Sequence, residues 1–173
     1  YRLGLVLTKM GQFDKAQQVY QILLEQTTDE SEKGVIYHQL GEIHYNKGEY
    51  QEAITFYEKS LAINKKTLPP AHPDLAASYN NIGAAYQSMG NYPQALSYYE
   101  KDQQIIKRSL PPSHPDLASS YNNVGAVYEC MKNYSKARSF YELAVDIAQQ
   151  SLPSGHSNLK TYRNNLERVK KKL

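Results

Sequence analysis

The sequence contains no tryptophan and a single cysteine, Cys130, among its 173 residues. One thiol cannot close an internal disulfide, so packing alone must hold the fold, and a reducing compartment suits such a chain. No apolar run approaches the roughly 20 residues that a membrane span needs. No secretory-signal pattern opens the sequence. These absences set the expectation of a cytoplasmic protein without membrane contact, and the Asn133-Tyr134-Ser135 sequon is read as chance on the same ground. Charge of one sign is scarce as well. A formal net charge of +3 is too small to argue for a nucleic-acid partner. Hydrophobic residues at 40% and charged residues at 21% lie near globular values, which argues against disorder.

Catalytic signatures are missing too. There is no glycine-rich phosphate loop, no CxxC, no HExxH and no GxSxG. Cys130 has no cation on its own face to activate the thiol, so a nucleophilic role is not expected. Glu42, Glu49, Glu52 and Glu58 are scattered as on a solvated surface. The chain reads as a non-enzyme without cofactor or metal.

What is present is tyrosine and repetition. Tyrosine occurs 16 times, mostly at repeating places. Residues 68–90, LPPAHPDLAASYNNIGAAYQSMG, return as residues 110–132, LPPSHPDLASSYNNVGAVYECMK, with Tyr79 and Tyr121 standing 42 residues apart. Self-similarity at a fixed period of this size signals a solenoid. The first copy carries Gly83, Tyr86, Gly90, Tyr92, Ala95 and Tyr99; the second carries Gly125, Tyr128, Tyr134, Ala137 and Tyr141. This arrangement resembles the tetratricopeptide repeat (TPR), two antiparallel helices A and B per unit. The long period and the LPPxHPDL joint are most similar to the repeats of kinesin light chains. The resemblance implies an all-α, right-handed α-solenoid.

In the repeat's numbering of about 34 positions, helix A carries large residues at positions 4, 7 and 11 and a small one at 8. Helix B carries alanine at 20 and an aromatic at 24. Tyr79, Ile82, Gly83, Tyr86, Ala95 and Tyr99 fill those places in one unit, and Tyr37, Leu40, Gly41, His44, Ala53 and Tyr57 in the unit before it. Leu3, Gly4, Leu7, Gly11, Phe13, Ala16 and Tyr20 give a first unit that starts inside its own helix A, as a piece of a longer array would. The expected organisation is one domain: a truncated repeat over 1–26, repeats over 33–66, 73–109 and 115–151, and a capping helix over 157–173. Glu167 stands where the earlier units have Gly125, Gly83 and Gly41, so residues 158–173 read as a solvating cap.

Glycine at position 8 implies close approach of helices A and B, because a larger side chain would overpack the contact. Pro69 and Pro70 stop one helix, and Pro73 with Asp74 suits the first turn of the next. Gly90-Asn91 predicts a left-handed stop followed by an N-cap. Lys132 replaces that glycine in the later copy, which predicts a less relaxed turn. His72, His114 and His156 occupy equivalent joints. One histidine per joint suits helix capping better than zinc, whose ligands must converge on one point.

The remaining informative surface is the side of helix A opposite positions 4, 7, 8 and 11. At 100° per residue it holds positions 2, 5, 6, 9, 12 and 13, which in a TPR superhelix line the concave groove. The groove set is Val35, His38, Gln39, Glu42, Tyr45 and Asn46 in one unit, then Ala77, Asn80, Asn81, Ala84, Gln87 and Ser88 in the next. Ser119, Asn122, Asn123, Ala126, Glu129 and Cys130 follow, and the cap adds Thr161, Asn164, Asn165 and Arg168. An Asn-Asn pair thus recurs in groove register. Asparagine is a mediocre helix former, but its amide complements the N–H and C=O of an extended peptide. In kinesin light chain repeats, which this resembles, such residues hold the cargo main chain. The alternative is that the asparagines bridge neighbouring A helices and serve the scaffold. Chaperone-binding TPRs clamp a C-terminal carboxylate with Lys and Arg, and the matching positions His38, Gln39, Ala77, Asn80, Asn81, Ser119, Asn122 and Asn123 hold no cation. Basic residues gather at the ends: Arg2 and Lys9, then Arg168, Lys170, Lys171 and Lys172. The expected function is a monomeric protein-interaction scaffold that binds an extended peptide; the alternative is a structural or self-associating segment.

Overall fold

A computed structural model describes residues 2–173 and contains, among them, nine α-helices and no strand. They run α1 (Arg2–Lys9), α2 (Phe13–Gln26), α3 (Glu30–Asn46), α4 (Tyr50–Thr67), α5 (Pro73–Ser88), α6 (Tyr92–Ser109), α7 (Pro115–Cys130), α8 (Tyr134–Ser151) and α9 (Ser157–Lys170). Odd-numbered helices are the A helices and even-numbered ones the B helices. Each helix packs on its chain neighbours, and α5 also touches α7, so the molecule is an all-α repeat array.

Punctuation in the sequence explains the helix ends. His72, His114 and His156 each cap the following helix, their Nδ1 accepting the backbone N–H of Asp74, Asp116 and Asn158 at 3.2 Å. Each cap satisfies one of the four N–H groups that a helix start leaves without an internal partner. Pro73 and Pro115 stand at the first helical position, where no donor is needed. Gly90 adopts φ +76°, and Asn91 then caps α6 by accepting from the Gln94 N–H. Lys132 is held at φ 59° in the same turn, a region that costs a residue with a side chain. The joint before α3 lacks the proline motif. There Asp29 accepts from the Ser31 and Glu32 N–H groups, and α3 opens at Glu30, ahead of the expected start at residue 33.

Within each unit one contact sets the A–B distance. A methyl built on Gly83 would stand 2.9 Å from Tyr99, and one on Gly125 would stand 2.8 Å from Tyr141. On Gly41 it would meet Tyr57 at 2.5 Å. The space is tighter than expected, since even alanine does not fit at position 8 without displacing a ring. Tyr99 and Tyr141 are fully buried, and each ring reaches through to the far side of helix A. There Tyr99 donates to Gln87 Oε1 and Tyr141 to Glu129 Oε2, both at 2.9 Å. A second motif closes the opposite edge. Tyr86 stacks on Tyr98, and Tyr128 on Phe140, with ring centroids 5.5 Å apart in both units.

Candidate functional site

The groove-register side chains fall into two groups in the structure, those tied to the scaffold and those left unbonded. Position 5 is largely tied. Asn80 lies beside the Asp102 carboxylate of α6 and favours its charged form, and Asn122 Oδ1 accepts from Asn165 Nδ2 at 2.8 Å across the α7–α9 contact. His38, half-buried, packs against Tyr57 at 5.5 Å between ring centroids, and burial lowers its pKa. Position 6 differs. No side-chain hydrogen bond within the chain holds the amide of Asn81 or Asn123 among the described residues, and both are half-buried. On α9 the order reverses: Asn164, equivalent to Asn122, is exposed and unbonded, while Asn165, equivalent to Asn123, is the tied member. Gln39 accepts from Tyr20 Oη at 3.3 Å.

Position 12 is anchored throughout. Tyr45 Oη meets Ser88 Oγ at 3.2 Å, joining α3 to α5, while Gln87 and Glu129 receive the tyrosines from helix B. Ser119 Oγ meets Tyr162 Oη at 2.7 Å and joins α7 to α9 in the same way. At position 9, Glu42 is exposed, Ala84 half-buried, and Ala126 packs on the core beside α9. Polar side chains therefore join α3 to α5 and α7 to α9, and among the described residues none joins α5 to α7 directly. Asn81 and Asn123 stand beside the small residues Ala77, Ala84, Ser119 and Ala126.

Arg168 is not a free cation. It pairs with Glu129, as does Lys172 Nζ at 3.1 Å. The Arg168 hydrogen bonds, with those from Tyr141 and Lys172, hold the Glu129 carboxyl down at about 2. The basic end of the array is thus partly neutralised from within.

One feature of this face escaped the sequence reading. Asp102, on α6, is buried, yet it lines a cavity of about 270 Å³ that opens beside Asn80 and Asn81. Ser120 Oγ donates to its carboxylate. Burial pushes the Asp102 pKa up to about 6, against the pull of Ser120 and Asn80. The signal was present in the repeat register: Ser60, Asp102 and Ala144 are equivalent at the 42-residue period, and only one of them carries charge. Among the described residues no helix is long and apolar enough to cross a membrane.

The sequence profile of the tetratricopeptide repeat matches residues 1–66, 32–101 and 74–150. The chain belongs to the tetratricopeptide repeat family. Similar TPR structures include BtubC (BKLC) of P. vanneervenii, with a TM-score of 0.86 and 25% identity over 98% of this chain and 70% of that one. An array of nearly identical TPR-like repeats from Podosopora anserina, described as kinesin light chain, gives 0.80 at 24% identity, covering 99% of this chain and 83% of its own. A Rap protein complexed with Competence and Sporulation Factor gives 0.79 at 17% identity, covering 98% and 46%. The second and third likenesses speak for the TPR fold alone. No curated protein sequence matches the chain.

Proposed function

We propose that this chain is a protein-interaction module that holds an extended segment of a partner protein along its A helices, without a catalytic role. The observation that carries this reading is the pair of unbonded amides at Asn81 and Asn123. An amide offers two donors and an acceptor, and on this half-buried face those of Asn81 and Asn123 are open to bond a ligand main chain in place of water. The two asparagines are equivalent in successive repeats, and small neighbours leave room for a main chain. Asn80 and Asn122 serve the scaffold in the same reading, so each pair divides its labour.

The test is selection from a randomised peptide library, followed by titration of the selected peptide into isotope-labelled protein. Saturable shifts clustered at Asn81, Ala84, Asn123 and Ala126 are expected. Shifts confined to helix B surfaces would overturn the reading. A self-associating segment is the competing reading, favoured by exposed Leu3, Val6, Met10 and Ile22 on the first unit. Light scattering separates the two: the module reading expects a monomer whose groove stays open, and a stable dimer that excludes the peptide would favour the other.

A further inference from the structure

The cavity beside Asn80 and Asn81 lies where α5, α6 and α7 meet. Its polar lining includes Asp102 and Asp116 with Ser119, and its walls include Ala76, Ile106 and Leu110. No basic side chain lines it. Asp102 is 1% exposed, and the Ser120 hydroxyl donates to its carboxylate, with the Asn80 side chain near enough to favour its charged form. A carboxylate has about four acceptor positions, so most of its hydrogen-bonding capacity is left open. A buried carboxylate without a counter-ion is costly, and ordinary folds either pair it or keep it protonated. Here no cation among the described residues pairs with it, and a hole lies beside it.

The equivalent place one repeat earlier sharpens the point. A cavity of about 250 Å³ lies between α3, α4 and α5, and Ser60 and Asp74 line it at the positions of Asp102 and Asp116. Ser60 Oγ is buried without a partner. Both joints build the recess, so it belongs to the repeat geometry; the buried carboxylate belongs to one joint alone.

We propose that the cavity between α5, α6 and α7 is a subsite for one basic side chain, lysine or arginine, of the bound segment, with Asp102 as its counter-ion. The inference rests on the groove reading for the source of that side chain. At about 270 Å³ the recess exceeds the roughly 30 Å³ share of a single water several times over, enough for a long side chain. Ala76, Ile106 and Leu110 would cover its methylenes while the head group reaches the carboxylate. Asn81 and Ser119, on the same rim, would orient the head group or the adjoining main chain. Occupancy depends on the charge of Asp102, which burial opposes. The groups facing that carboxylate are Asp116 and Ser120 from α7, Asn80 and Asn81 from α5 and Tyr99 on its own helix, none of them basic. The titration therefore belongs to the carboxylate, and the site fills above about pH 6 and empties below it.

The test uses side-chain analogues as probes, so that it does not depend on finding the peptide. n-Butylguanidinium and n-butylammonium, with neutral n-butylurea beside them, are titrated into isotope-labelled protein near pH 7.5 and again near pH 5. Saturable shifts at Asn81 and Ser119 are expected for the two cations, several-fold weaker at the lower pH. Asp102→Asn and Asp102→Ser should abolish them; the serine variant copies Ser60 and so keeps a recess known to this fold. Circular dichroism confirms that both variants remain helical. Equal binding of butylurea, or cation binding unchanged in both variants, would overturn the proposal. If library selection yields no peptide while the cations bind in an Asp102-dependent manner, the module reading falls and the cation site stands. If a selected peptide binds but tolerates citrulline or glutamine at each of its basic positions, the subsite falls and the module stands.

Discussion

Arg168 on α9 grips Glu129 on α7 with two hydrogen bonds, Nε to Oε1 at 2.8 Å and Nη2 to Oε2 at 2.7 Å. Tyr141 donates to the same carboxylate from below, so one side chain ties the last A helix, its neighbour and the B helix beneath. The Glu129 side chain is 11% exposed but Arg168 is 50% exposed, so solvent screens the pair in part.

This bond carries a pH signature. The Glu129 carboxyl, held at about 2 by Arg168 first of all, ordinarily titrates at 4.5. Its contribution is therefore complete above about pH 4.5 and fades as pH falls through about 2. Glu129→Gln should lower stability by roughly 1–3 kcal/mol near neutral pH, after allowance for screening. The difference from the parent should close near pH 2, as read by thermal melts across the range. A constant difference at every pH would assign the loss to packing.

Asp102 has the opposite sign. Its pKa of about 6 lies above the ordinary 3.8, so the folded state binds the proton more tightly than the unfolded chain. Stability then falls as pH rises from about 4 to about 6, and the penalty persists above that window. Asp102→Asn should melt above the parent near pH 7.5, by at most about 3 kcal/mol. It should lose that advantage near pH 4, where the parent carboxyl is protonated. Denaturant melts of the two proteins at both pH values would check it.

The repeat register, the capping histidines and the strained turn at Lys132 were all legible in the sequence, because each follows from residues close together in the chain. The division of the asparagine pairs was not. Asn80 and Asn81 lie 100° apart on one helix face, and which of them meets a neighbouring element depends on the spacing of helices set elsewhere. Asp102 was harder still. On α6 alone it resembles any acidic residue of a solvated helix, and its burial arises only when α7 lies over it. The start of α3 at Glu30 is set by Asp29, which caps it without the proline motif that marks the later joints.

The A–B contact offers a stability test. Gly83→Ala gains about 0.5–1 kcal/mol of helix propensity, yet it places a methyl 2.9 Å from the Tyr99 ring. The ring is buried and tethered to Gln87, so overpacking of roughly 1–3 kcal/mol should win. A lower melting temperature for Gly83→Ala, and a lower one still for Gly83→Leu, is expected. A Gly83→Leu protein that melts with the parent would contradict the proposed register.

The most direct measurement is calorimetric titration of a library-selected peptide against Asn81→Ala, Asn123→Ala and Asn122→Ala, with thermal melts alongside. A net hydrogen bond contributes about 0.5–1.5 kcal/mol, so the first two variants should bind several-fold to tenfold more weakly at an unchanged melting temperature. Asn122→Ala, which breaks the bond to Asn165, should instead melt earlier. Unchanged affinity in Asn81→Ala and Asn123→Ala, with melting temperatures that fall as in Asn122→Ala, would contradict the account and return all of these asparagines to the scaffold.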